Sequence, residues 1–122
     1  MRAIVCLVAL ASASAANAAD QFDLLCAGKL TDGSKIDRRY HIDLATNRYC
    51  YNECTVKPIA EINATQIVFE ETKASYRGDP SASLDYVDRT TGRWSFFTSF
   101  WQGDGTCEPA AFTGFPTVKT KF

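Results

Sequence analysis

Apolar residues recur at every second position along most of the chain. Phe22, Leu24 and Cys26 share one face of a run whose other face carries Asp23. Tyr40, Ile42 and Leu44 alternate with Arg39, His41 and Asp43, Ile67 and Phe69 with Gln66 and Glu70, and Leu84 and Tyr86 with Ser83 and Asp85. A period of two puts successive side chains on opposite faces of an extended chain, so each run predicts an antiparallel strand with one face on a core and the other in water. Helical spacing over a dozen residues occurs only at the extreme N-terminus.

Turn chemistry separates these runs. Asp32-Gly33 is a hairpin signal. Asn63-Ala64-Thr65 divides two strands; the same triplet is a glycan acceptor in a eukaryotic chain and only a turn in a bacterial one. Gly78-Asp79-Pro80-Ser81 is a loop, since proline has no amide to give to a ladder, and Gly103-Asp104-Gly105 reads as another break. Asp43 to Tyr49 and Asp88 to Trp94 share the pattern D-x-x-T-[N/G]-R-aromatic. A tight hairpin built on a type I turn needs one residue at positive φ, and Asn47 and Gly92 suit that place, so the likeness is one of turn chemistry and not of duplication.

The expected elements are seven or eight short strands, at 21–30, 37–45, 48–51, 57–62, 66–71, 83–89, 93–101 and 106–112. The fold class is all-β, an antiparallel meander. An open meander of this length would leave long unprotected edges, so it is expected to close as a small up-and-down barrel, with a β-sandwich as the alternative.

The N-terminus changes the picture of destination. Met1-Arg2, the apolar Ala3–Ala11 and the small-x-small triplet Ala16-Asn17-Ala18 form a secretory signal ending at Ala18. A membrane anchor fits less well, because Ser12, Ser14 and Asn17 interrupt a stretch that is already short for a span. Removing residues 1–18 from 122 leaves 19–122 as one domain of 104 residues, in the periplasm or the medium, with no membrane span. Basic residues number 13 and acidic residues 14; loss of Arg2 takes the net charge from −1 to −2. That balance gives no field to attract nucleic acid.

Of the five cysteines, Cys6 leaves with the signal. Cys26, Cys50, Cys54 and Cys107 are an even set in a short exported chain, which predicts two disulfides. Cys26 and Cys107 lie on the first and last strands, neighbours in a closed meander, and Cys50 and Cys54 flank a short turn, so 26–107 and 50–54 is the expected pairing. A metal site fits poorly: three residues separate Cys50 from Cys54 and there is no second pair. No cofactor motif is present.

Candidate chemistry is sparse. His41 stands alone on the polar side of its strand, a satisfied or solvated histidine rather than a general base. Glu70 and Glu71 point to opposite faces and cannot act as a carboxylate pair. Arg38, Arg39 and Arg48 read as a solvated face. The catalytic set is therefore empty, and an enzyme would need scattered residues. The richest segment is Trp94 to Trp101. Trp94, Phe96 and Phe100 share one face; Phe97 and Trp101 lie on the other, where they form either a platform for a protein or small ligand or a second buried layer under the tail with Phe112, Phe115 and Phe122. In the first case Tyr76 and Arg77 of the neighbouring loop join Trp101 and Phe97.

The motifs F-x-L-x-C-x-G (Phe22 to Gly28), R-Y-x-I-D-L (Arg39 to Leu44), Y-C-x-x-x-C (Tyr49 to Cys54), D-R-x-T-G (Asp88 to Gly92), G-T-C-E-P (Gly105 to Pro109) and F-x-G-F-P (Phe112 to Pro116) resemble a group of small exported proteins of alphaproteobacteria. The resemblance implies export and four cysteines, and no particular activity. Ser81-Ala82-Ser83 ahead of Tyr86, followed by Phe100-Trp101, is similar to the serine-rich loop and aromatic strand of periplasmic C-type lysozyme inhibitors, which are small disulfide-bearing barrels; an inhibitor would use the loop from Tyr76 to Ser83. The sequence favours a non-enzymatic binding or envelope-accessory protein, with a lysozyme inhibitor as the alternative.

Overall fold

The computed structural model describes residues 20–52, 55–72, 82–98 and 101–116. Among them are nine antiparallel strands and no α-helix. These are β1 (Gln21–Leu30), β2 (Lys35–Asp43), β3 (Arg48–Tyr51), β4 (Lys57–Pro58), β5 (Glu61–Ile62), β6 (Gln66–Thr72), β7 (Ser83–Asp88), β8 (Arg93–Phe97) and β9 (Gln102–Ala110). The sheet order is β4-β3-β2-β1-β9-β8-β7-β6-β5, so the first and last strands pair and each other neighbour is a hairpin. The result is a curled half-barrel.

The ladder is not closed between β4 and β5. The expected strand 57–62 is split at Ile59-Ala60, and each half has two residues, one of them Pro58, which has no amide to give. The link Ile59-Ala60 is held to each side of the sheet by one bond: the Ile59 amide donates to Asn47 O at 3.0 Å and the Ala60 amide to Phe69 O at 3.3 Å. Tyr40 of β2 crosses the interior to stack on Phe69 of β6, with ring centroids 4.2 Å apart and planes within 9°. Leu24, Ile42, Tyr49, Ile59, Ile67, Val87, Trp94 and Phe96 complete this core.

Turn chemistry acts as the sequence predicts. Asn47 and Gly92 have φ of 58° and 76°, and Gly33 has 88°. Asp88 Oδ1 accepts from the Thr90 and Thr91 amides, and Asp43 Oδ1 from the Thr46 amide, so the two D-x-x-T turns are built alike. Asn63 Oδ1 gathers the Thr65 and Gln66 amides in the same way.

Other expectations need correction. Gly103-Asp104-Gly105 is not a break but lies inside β9, where Gly28 of β1 pairs closely with Gly105. A Cβ on Gly105 would run into the Ala27 carbonyl oxygen and lie 2.5 Å from Gly28 Cα. The strand expected at 93–101 ends at Phe97, and the Thr98 amide donates to Trp101 O at 2.6 Å in a turn. β7 is inverted: Asp85 and Val87 face the core and Leu84 and Tyr86 face outward, a choice set by register with Phe96 and Trp94 after the bulge between Val68 and Glu70 in β6.

One disulfide is formed among the described residues, Cys26–Cys107, between directly paired residues of β1 and β9. The expected partner bridge is absent. Cys50 is a buried free thiol, held in the β2–β3 ladder opposite His41. Cys54 lies outside the described residues.

Candidate functional site

Three polar or aromatic constellations arise from this topology. The first is inside the curl. Asp85 projects from β7 into the core and is 6% exposed. Its Oδ2 accepts from the Tyr40 hydroxyl at 2.6 Å and from Arg38 at 3.3 Å, and its Oδ1 from Trp94 Nε1 at 2.9 Å. Arg38 is not on a solvated face. Its guanidinium carbon lies 4.4 Å from the Tyr51 ring centroid and 4.9 Å from that of Phe96. Burial pushes the Asp85 carboxyl above its ordinary value, against the opposite pull of Tyr40, Trp94 and Arg38. Burial likewise drives the Tyr40 hydroxyl up, and the Asp85 charge adds to it. Every donor around Asp85 comes from the protein itself, so the group holds β2, β7 and β8 together.

The second lies on the outer face of β1 and β2. Asp23 is fully buried although its strand face reads as solvent-facing in sequence. The segment after β9 folds back over it. The Thr113 hydroxyl donates to Asp23 Oδ2 at 2.6 Å and Arg39 Nε to the same atom at 2.7 Å. His41 Nδ1 lies 3.1 Å from both Asp23 Oδ1 and Thr113 Oγ1. Burial alone would raise the Asp23 carboxyl, but the Thr113 and Arg39 bonds outweigh it and lower it. His41 is thus a satisfied histidine, buried beneath the tail. Phe112 and Phe115 pack edge to face on this side, with Arg48 over the Phe115 ring.

The third is the outer surface of β7, β8 and β9. Phe97 is 39% exposed and Trp101 57% exposed, while Trp94 and Phe96 are buried. The described tail residues therefore cover β1 and β2 and leave both aromatics open. Leu84 pairs with Phe97 and Phe97 with Gln102. Behind them runs a second row, Tyr86–Ser95–Asp104–Lys29, each member directly opposite the next. Small Ser95 between Tyr86 and Asp104 leaves a hollow of about 390 Å³. The sequence suggests that Phe97 and Trp101 share a face and lack an apolar neighbour strand; the inversion of β7 supplies Phe97 with one, in Leu84 and Tyr86, whereas Trp101 is bonded to Thr98 one position beyond the Phe97–Gln102 pair and so lies off that face. Tyr76 and Arg77 lie outside the described residues.

Among the described residues no three His, Cys, Asp or Glu side chains are grouped to hold a metal ion. No helix of the described residues is long and apolar enough to cross a membrane. No protein-family model, curated protein or solved structure matches the chain.

Proposed function

We propose that the chain is an exported, non-enzymatic binding protein whose partner seats on the open face of β7, β8 and β9 around Phe97, reaching the exposed Trp101 at its rim. The observation that carries this reading is the exposure of these two aromatics, Phe97 beside Leu84 and Tyr86, while the other large rings of β8 are buried. Solvent-exposed aromatics match the composition of interface hot spots. The disulfide between β1 and β9 fits an oxidising compartment and the signal read at residues 1–18. The two buried carboxylates, Asp23 and Asp85, are saturated by internal donors, which favours structural roles for them over catalytic ones.

The test has two arms. Trp101→Ala should melt close to wild type, whereas a buried tryptophan would cost about 3–5 kcal/mol. Amide spectra of the labelled mature protein, recorded with and without envelope extract, should shift at 84–86, 95–98 and 101–104. A Trp101→Ala protein that barely folds, or an extract that shifts none of these amides, overturns the reading. Inhibition of lysozyme by the wild type that persists in Phe97→Ala/Trp101→Ala would move the binding surface to the inhibitor-like loop.

A further inference from the structure

Resting on the binding reading above, we propose that the hollow over Ser95 takes a segment of a neutral oligosaccharide chain. The lining alternates aromatic faces with hydrogen-bonding groups. Tyr86, Phe97 and Leu84 supply flat or apolar surface, and Lys29, Gln102 and Asp104 supply donors and acceptors around it. Lys29 and Asp104 are directly opposite in the ladder, yet the ion pairs among the described residues lie elsewhere, at Asp23, Asp43 and Asp85. Both charged side chains are exposed and face the hollow's rim ready to meet a ligand. A pyranose ring presents just these two surfaces, an apolar C–H face that stacks on an aromatic ring and an equatorial rim of hydroxyls that both donate and accept.

Other occupants fit less well. An extended peptide that adds to a sheet needs a free strand edge, and β1, β9, β8 and β7 are each paired on both sides. A polyanion or polycation needs a field of one sign, and the charged lining is one lysine against one aspartate.

Isothermal titration calorimetry tests this directly. The mature protein is titrated with chitohexaose and maltohexaose, and in parallel with a sulfated heparin hexasaccharide and an apolar decapeptide. The expected result is a saturable heat of binding with at least one neutral hexasaccharide. The affinity should fall at least tenfold in Phe97→Ala and in Asp104→Asn, and stay unchanged in Leu25→Ala, which lies outside the hollow on β1. Asp104 is exposed, so its variant folds even where the loss of Phe97 disturbs β8. Saturation by the heparin fragment or the peptide alone would overturn the sugar, as would neutral-sugar binding indifferent to both substitutions. If no hexasaccharide binds while envelope extract still shifts the amides of 84–86, 95–98 and 101–104, the saccharide is wrong and the binding surface stands. If neither shifts them, both fall.

Discussion

Replacing Tyr40 by Phe removes the hydroxyl that makes an inward-facing Asp85 tolerable. The ring is retained, so its stacking on Phe69 and its edge contact with Trp94 persist. What goes is the hydroxyl that donates to Asp85 Oδ2 at 2.6 Å, the shortest bond to that carboxylate, and that accepts from Arg38 and Trp94 Nε1 at 3.2 Å each. Trp94 Nε1 keeps Asp85 Oδ1 at 2.9 Å and Arg38 keeps Oδ2 at 3.3 Å, so no other donor is orphaned. A hydrogen bond to a charged acceptor contributes about 1.5–3 kcal/mol, and near-complete burial keeps water from replacing it. The expected loss at pH 7 is therefore about 2 kcal/mol, a fall in Tm of roughly 10 °C for a domain of this size. Asp85 titrates above the unfolded carboxylate, so the folded protein takes up its proton first and this group's contribution falls as pH rises through the interval between the two values. Losing Tyr40 removes a group that holds the carboxyl down, so in the variant its titration moves further up. Urea unfolding from pH 7 downward and a carboxyl NMR titration of Asp85 check both parts. The difference between variant and wild type should shrink as Asp85 protonates, because a neutral acceptor loses less. A loss below about 0.5 kcal/mol, or one independent of pH with an unmoved Asp85 titration, would refute the assignment of Asp85 as a charge held by Tyr40.

Gly105→Ala should destabilise by more than about 3 kcal/mol in chemical denaturation, since the added methyl meets backbone on β1 that cannot swing aside, whereas Gly33→Ala, in open space at positive φ, should cost about 1–2 kcal/mol. Asp23→Asn removes a carboxyl held below its ordinary value; wild type loses that contribution as pH falls from the unfolded value through the folded one, and melts across this range should show a shallower acid limb in the variant. Cys26→Ser/Cys107→Ser opens a loop spanning 81 residues and should cost about 4 kcal/mol by the chain-entropy relation, read from urea midpoints. Non-reducing peptide mapping should recover Cys26 joined to Cys107, with Cys50 alkylated only after unfolding; a peptide joining Cys26 to Cys50 or Cys54 would contradict the register of β1 on β9. Intact mass of exported protein should begin at Ala19, and a species retaining Met1 to Ala18 would remove the signal assignment.

The alternation of apolar and polar residues, with Asp32-Gly33, Asn47, Asn63 and Gly92 at the turns, determined by itself that the chain is an antiparallel meander. These signals are local: a period of two and a positive φ need no distant partner. The Cys26–Cys107 neighbourhood was also legible, because a meander that curls must bring its ends together. Tertiary structure decided which face of an ambiguous strand goes inside. Leu84 and Tyr86 look like the buried pair of β7, yet Asp85 and Val87 are inside, because burial of Asp85 is compensated by Tyr40, 45 residues earlier, and Trp94, 9 residues later. Asp23 reads as solvent-facing until Thr113, 90 residues on, folds over it. Gly103 and Gly105 read as a break until β1 lies against them, where their lack of a side chain is what permits the approach. In each case the residue's own chemistry allows two environments, and only a partner far along the chain selects one. The open surface at Phe97 follows from the same choice: the inverted β7 places Leu84 and Tyr86 beside Phe97, and the described tail docks on β1 and β2 instead of on β8.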